Sequence, residues 1–195
     1  MTIKYVTPRS GILKKVLTNW FEVTTDYASE WSWKDVHWWY GERTAIGFLA
    51  AAVWKSGGVA LEEYRTKKKS KTTPGRCDLH FRLARNASYI VEAKKLTVWI
   101  TDKSEKSMNK IREALDLAHK DATRLTEPEK KLGIAFVSFR VRKKYRDCTP
   151  LIKKWDEVAR NQHFFDHAAW IFPGEARAIS RWACKPGTAI FIREA

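Results

Sequence analysis

The sequence predicts an α/β protein in which helices flank a mixed central β-sheet. Residues 44–54 are apolar nearly all round, as in a helix that is buried on most of its faces. Residues 78–84 and 88–94 alternate between polar and apolar side chains, which is the pattern of two strands. Residues 131–139 form a continuous apolar run, typical of a central strand covered on both faces. With 195 residues and 44% hydrophobic content, the chain is long enough to bury one such core as a single domain.

The elements near the N-terminus are predicted from periodicity and from turn residues. Residues 12–21 form a short amphipathic segment, within an N-terminal, Trp-rich helical extension that comprises residues 1–40. Gly57 and Gly58 end the buried helix, as glycine commonly does at a helix C-terminus. Residues 59–69 predict a strand that runs into a basic loop.

The second half of the chain predicts two further helices and several strands. A long helix begins at Ser104, and the next helix has Thr149 as its N-cap and Pro150 at its first position. Short strands are predicted at residues 168–172, 178–183 and 188–192. We expect a domain core over about residues 40–140, followed by C-terminal elements at residues 147–195. The buried stripe of the long helix consists of Met108, Ile111, Leu115, Ala118, Ala122 and Leu125.

The charge of the chain indicates a polyanionic partner. Its formal net charge is +15 and its pI is about 9.8, which is typical of proteins that meet nucleic acid or an anionic membrane surface. A basic surface without a specific partner is the alternative, but clustering of the basic residues favours nucleic acid.

The sequence predicts neither a membrane span nor a disulfide framework. It contains no stretch of 18 apolar residues and no signal-peptide pattern. Its cysteines, Cys77, Cys148 and Cys184, are odd in number and form no CxxC motif. We therefore expect a reduced, cytoplasmic protein.

Polar side chains share one side of the two predicted strands. A hairpin with a three-residue loop at residues 85–87 would place His80 opposite Glu92 and Asp78 opposite Lys94. Two carboxylates can hold Mg²⁺, which activates a bound water and neutralises charge on a phosphate, while a lysine orients that water. An ordinary surface ion pair on a half-exposed hairpin is the alternative.

The order of these residues resembles the PD-(D/E)XK nuclease superfamily. In that family an acidic residue on the first core helix precedes an Asp on one strand and a Glu-x-Lys on the next. The matching residues here are Glu42, Asp78 and Glu92-Ala93-Lys94, and the resemblance covers roughly residues 40–140. Cys77 stands where the name of the motif has proline. The resemblance implies a restriction-endonuclease-like fold.

The resemblance also implies a role for each matching residue. Asp78 and Glu92 would bind Mg²⁺, for which Mn²⁺ would substitute, and the Ala93 carbonyl would be a third protein ligand. Lys94 would position the nucleophilic water. Glu42 would support the site through a metal-bound water or a second cation, although a carboxylate at a helix N-terminus also suits the helix dipole.

Two basic clusters would contact the DNA backbone on this interpretation, with solvated charged loops as the alternative. The Trp-rich segment, with Trp31, Trp38 and Trp39, would pack in the core or on a second subunit, or else stack on bases. The expected nucleic-acid contacts are Lys67, Lys68, Lys69, Lys71 and Arg76 in the first cluster, and Arg142, Lys143 and Lys144 in the second.

The function expected from these features is that of a metal-dependent endonuclease hydrolysing DNA phosphodiester bonds. Such an enzyme would be of restriction and defence type or of repair and junction-resolving type. A homodimer would suit double-strand cleavage, because one site cuts one strand. The alternative is a basic nucleic-acid-binding module on the same scaffold that does not cleave.

Overall fold

The protein folds as an eight-stranded mixed β-sheet with helices on both faces, which confirms the predicted α/β class. The structure is a computed structural model that describes residues 2–7, 11–66, 75–83, 87–101, 103–142, 144–145, 147–176 and 183–195. The helices are α1 (Leu13–Glu30), α2 (Glu42–Lys55), α3 (Ser104–Ala122) and α4 (Thr149–Arg160), with a short 3₁₀ helix at His37–Trp39. The strands are β1 (Ile3–Val6), β2 (Val59–Thr66), β3 (Gly75–Arg82), β4 (Ser88–Trp99), β5 (Lys130–Arg142), β6 (His167–Phe172), β7 (Ala183–Cys184) and β8 (Thr188–Glu194).

The order of strands across the sheet is β1-β6-β8-β5-β4-β3-β2, and β7 pairs with β5. Strands β4 and β5 are parallel and are connected through α3, whereas the other pairs are antiparallel. Strand β5 lies at the centre and is buried along most of its length, as its continuous apolar run predicts. The last strand, β8, inserts between β5 and β6.

Two hydrophobic cores lie on opposite faces of the sheet. Helices α1 and α2 pack on one face, against side chains such as Val91 and Phe136. Helices α3 and α4 pack on the other, against side chains such as Val137 and Trp170. The stripe predicted on α3 is confirmed, because its residues from Met108 to Ala122 are buried there. Removal of this apolar surface from water stabilises the layered arrangement.

The N-terminal segment differs from the prediction. Strand β1 was not predicted, because four residues are too few for a periodic signal, and it pairs with β6 at the edge of the sheet. Helix α1 extends well beyond the predicted residues 12–21. Its continuation carries β-branched residues of low helix propensity, but Thr24 and Ala28 are fully buried there. Tertiary packing therefore outweighs local propensity in this helix.

The predicted hairpin register is wrong by two residues. The structure pairs His80 with Ile90 and Leu79 with Val91, so His80 does not lie opposite Glu92. The Leu83 amide donates a hydrogen bond of 2.8 Å to the Ala87 carbonyl. The loop is therefore closed one residue earlier than predicted. An even shift keeps each side chain on its predicted side of the sheet.

Smaller differences occur at element ends and in the Trp-rich segment. The N-cap of α4 is Cys148, one residue before the predicted Thr149. Of the predicted strand at 178–183, residues 178–182 lie outside the described residues. Trp38 is 1% exposed, as predicted for a packed residue, but Trp31 is 56% exposed because it follows the end of α1.

Within the described residues, no helix is long and apolar enough to cross a membrane.

Candidate active site

A gap between strands β3 and β4 forms the candidate site. The ladder between these strands ends at the pair Leu79 and Val91, although both strands continue. Beyond it, the Ala93 amide donates a hydrogen bond of 2.6 Å to Oδ2 of Asp78. The Lys95 amide donates one of 2.8 Å to Oε2 of Glu42. Since alternate amides of a strand point to the same edge, the two carboxylates occupy neighbouring positions along β4.

An irregularity in the neighbouring strands accompanies this gap. Glu63 on β2 has a φ of 53°, in the left-handed region that non-glycine residues seldom occupy. It lies between the paired residues Glu62 and Tyr64, and its own pair with Asp78 is not formed. On β3, Leu79 and Cys77 bury their side chains in different hydrophobic clusters although they are two residues apart. The regular alternation of the strand is therefore interrupted at Asp78.

Glu42 links helix α2 to this edge of the sheet. It is the first residue of α2, and its carboxylate accepts from the β4 backbone at Lys95. Burial raises the pKa of Glu42, and the charge of Asp78 raises it further. The two carboxylates are thus close enough to repel each other. The hydrogen bond across to β4 favours a site role for Glu42 over a cap of its own helix.

Glu92 lies beneath helix α3 and is only 4% exposed. Its partner in the parallel ladder is Gly133. A Cβ on Gly133 would lie 2.4 Å from the backbone nitrogen of His119, so the glycine permits α3 to approach the sheet closely. Burial raises the pKa of the Cys77 thiol to about 12, with further contributions from the charges of Glu92 and then Asp78. Both carboxylates therefore lie near this one buried thiol.

Lys94 faces α3 and pairs with Asp121, whose Oδ2 lies 2.9 Å from Nζ. Burial lowers the pKa of Lys94, but the hydrogen bond to Asp121 and the charges of Asp121, Asp78 and Glu42 outweigh it. The net pKa is raised, so Lys94 keeps its positive charge. Asp121 was missed in the sequence analysis. The available signal was its place three residues after the buried Ala118, at the border of the apolar stripe.

The charges of Asp78 and Glu42 both act on Lys94, so these three side chains lie near one another, whereas the charge of Glu92 acts on Cys77, the sequence neighbour of Asp78. His80 is paired with Ile90 and not with Glu92 in the sheet. Its Nε2 lies 3.0 Å from Oγ of Ser88 and 4.0 Å from a carboxylate oxygen of Glu129.

The predicted nucleic-acid contacts are only partly described. Lys67, Lys68, Lys69, Lys71 and Lys143 lie outside the described residues. Arg76 is exposed and pairs with Glu63 at 3.5 Å. Arg142 is exposed at the end of β5, and Nζ of Lys144 lies 5.1 Å from the centre of the Tyr145 ring.

No group of three or more His, Cys, Asp or Glu side chains able to hold a metal occurs in the described residues. Asp78 and Glu92 offer carboxylate oxygens, and the Ala93 carbonyl is the remaining oxygen ligand expected from the sequence. The repulsion between Glu42 and Asp78 is one that a bound cation would relieve.

Comparison with protein-family models, with curated proteins and with solved structures finds no match for this chain.

Proposed function

We propose that this protein is a metal-dependent endonuclease of the PD-(D/E)XK type that hydrolyses DNA phosphodiester bonds. The nuclease core on this proposal is restriction-endonuclease-like and comprises α2, β2, β3, β4, α3 and β5. One observation carries the proposal, namely the convergence of Glu42, Asp78 and Lys94 at the gap where β3 leaves β4.

Each side chain then has a chemical task. Asp78, Glu92 and the Ala93 carbonyl would hold Mg²⁺ or Mn²⁺, which when bound would lower the pKa of a water and neutralise charge on the attacked phosphate. Lys94 orients the attacking water and stabilises the negative charge that develops on the phosphate. Asp121 holds the Lys94 ammonium in place at 2.9 Å. Glu42 positions the Lys95 segment of β4 through its hydrogen bond to the backbone.

The proposal of DNA as the substrate rests on the positive net charge of the protein and on the carboxylates and lysine of the candidate site. A net charge of +15 favours a polyanion, and phosphate contacts bind DNA without reading its sequence. A cleaved phosphodiester explains why carboxylates and a lysine converge here, whereas a binding module alone needs no carboxylates beside a phosphate.

Cleavage of supercoiled plasmid with Mg²⁺, Mn²⁺ or EDTA tests this proposal. Glu92→Gln and Lys94→Ala should each lower the rate by about 10²-fold or more, and EDTA should abolish it. Glu113→Gln and Lys110→Ala, two exposed positions on α3, are the matched controls and should cut like wild type.

The products discriminate between the alternatives. Linear product without a nicked intermediate would favour a homodimer, because one site cuts one strand. Plasmid binding without cleavage, unchanged in both site variants, would contradict the proposal and favour the non-cleaving module. Cleavage that persists in EDTA would contradict the role of the metal.

A further inference from the structure

Three cations lie together on the face of the sheet that carries α2 and the 3₁₀ helix. Lys95 is on β4 and Arg140 is on β5, where Arg140 is paired with Trp99. Lys185 follows β7, and the pair Val141–Cys184 brings it level with Arg140. We refer to Lys95, Arg140 and Lys185 as the basic cluster. Residues distant in sequence are thus placed side by side by the pairing of β4, β5 and β7.

The basic cluster holds its charge without a neutralising ion pair in the described part of the chain. Nζ of Lys95 instead binds the backbone carbonyls of Trp38, at 3.2 Å, and Tyr40. Burial lowers the pKa of Lys95 to about 8, and the charges of Lys185 and Arg140 contribute. The pKa of Lys185 is also lowered, by burial and by Arg140. An anion bound here would relieve this repulsion.

Aromatic rings border the basic cluster. Nζ of Lys185 lies 4.9 Å from the centre of the Trp39 ring, and the guanidinium of Arg140 lies 5.9 Å from that of Trp99. Trp99 is 42% exposed, so its ring is open to a ligand. Two buried donors, Nε1 of Trp39 and Nε of Arg140, have no hydrogen-bond partner among the described residues. Donors without acceptors beside an exposed ring are the features of a site for an anion attached to a flat apolar group.

We propose that the basic cluster binds a backbone phosphate of a single-stranded DNA segment while Trp99 stacks on the adjacent base. This inference rests on the proposed function for its choice of ligand. Glu42 connects the two sites, because its charge acts on both Lys94 and Lys95. On this proposal a strand that enters the gap between β3 and β4 would pass Glu42 to reach the basic cluster. An exposed single ring stacks on an unpaired base, whereas bases within a duplex present only their edges.

The test measures binding of fluorescently labelled twelve-nucleotide strands by anisotropy in EDTA, so that it does not depend on cleavage. The probes are oligo(dT) and an abasic strand of the same length. Lys185→Gln should weaken binding of both strands about tenfold, and it should reduce the slope of log affinity against log salt by roughly 0.7. Trp99→Ala should weaken binding of oligo(dT) but not of the abasic strand.

Lys153→Gln, which removes one exposed positive charge from α4 on the other face, is the matched control. Equal affinities of Lys185→Gln and Lys153→Gln would overturn the phosphate assignment, and equal losses by Trp99→Ala on both strands would overturn the stacking. Loss of binding in Lys185→Gln without plasmid cleavage by wild type would refute the proposed function and leave this inference standing. Lys185→Gln keeps the hydrogen bond from Nε1 of Trp38, because that bond goes to the backbone carbonyl of Lys185.

Discussion

The backbone amide of Ala93 donates its hydrogen bond to the side chain of Asp78, at 2.6 Å, where an uninterrupted ladder would supply a carbonyl of β3. A carboxylate that replaces a ladder partner is fixed in position by the strand beside it. On the proposed function Asp78 would also bind the cation, because a carboxylate can accept several bonds. The interruption of the sheet and the placement of the candidate catalytic carboxylate are therefore one structural feature.

Replacement of Asp78 should separate its structural and catalytic tasks. Asp78→Asn keeps an oxygen that accepts from the Ala93 amide, so its free energy of unfolding should stay within about 1 kcal/mol of wild type. Asp78→Ala leaves the amide without this acceptor and should cost about 1–3 kcal/mol. Both should lose plasmid cleavage, because neither carries the negative charge. Urea unfolding and cleavage rates measure the two effects, and cleavage by Asp78→Asn within a few-fold of wild type would contradict the assignment.

Replacement of Glu42 should raise stability while it lowers activity. Its pKa is raised above the ordinary value of 4.5 by burial and by Asp78, so the folded protein holds a proton to higher pH than the unfolded chain. The free energy of unfolding therefore falls as pH rises through that window. Glu42→Gln resembles the protonated form and should melt at a higher temperature than wild type at pH 7.5 in EDTA.

Melting temperatures of wild type and Glu42→Gln at pH 4 and in Mg²⁺ test this explanation. The difference in melting temperature should become small at pH 4, where Glu42 is largely protonated in both states. Addition of Mg²⁺ should stabilise wild type more than Glu42→Gln, because ligand binding to the folded state raises stability. Glu113→Gln is the control for removal of one carboxylate from an exposed helical position. A lower melting temperature for Glu42→Gln at pH 7.5 would show that the hydrogen bond outweighs the repulsion.

Local patterns predicted the elements that surround the site. Helix α3 and strand β5 carry strong periodic or continuous apolar signals, and both are confirmed. The hairpin register was wrong because the alternation of β3 and β4 is unchanged by a shift of two residues. The position of β8 between β5 and β6 depends on pairing between distant segments, which no local pattern specifies.

The residues of the candidate site were predicted only where their order along the sequence matches the nuclease motif. Glu92 and Lys94 are neighbours in sequence, and Asp78 precedes them on the adjacent strand. Asp121 and Lys185 were missed because their proximity to β4 and β5 arises from the packing of α3 and the pairing of β7. Lys95 was not considered because alternation assigns it to the opposite face of the sheet from Lys94. Only the folded structure shows that polar groups gather on both faces of β4 at this point.

The contact between α3 and β5 should not tolerate a side chain at Gly133. The added Cβ of Gly133→Ala would lie within 2.5 Å of backbone atoms of His119, so the helix would have to move. Overpacking of this kind should cost roughly 1–3 kcal/mol. Because α3 carries Asp121, which holds Lys94, cleavage should fall as well.

Gly41→Ala is the control for this substitution, because a Cβ at Gly41 has no atom within 4 Å. It lies at the N-cap of α2, where alanine is a poorer cap than glycine, so the substitution should cost about 1 kcal/mol or less without moving α3. Urea unfolding of the two variants measures the difference. Equal stabilities would mean that α3 lies farther from the sheet than the structure shows.

Binding of single-stranded DNA should weaken as pH rises through about 8, the lowered pKa of Lys95. A phosphate favours the protonated form of Lys95, so binding is coupled to proton uptake. The protonated fraction of a group with this pKa falls about tenfold between pH 7 and pH 9, which sets the largest loss of affinity it can cause. Glu42, Arg140 and Lys185 are the charged groups that act on Lys95.

Anisotropy of labelled oligo(dT) in EDTA measures how binding affinity depends on pH, and this dependence should become flat in Lys95→Met. A profile that persists in Lys95→Met but flattens in Lys185→Gln would assign the titration to Lys185 instead, and one that persists in both would place it outside the basic cluster.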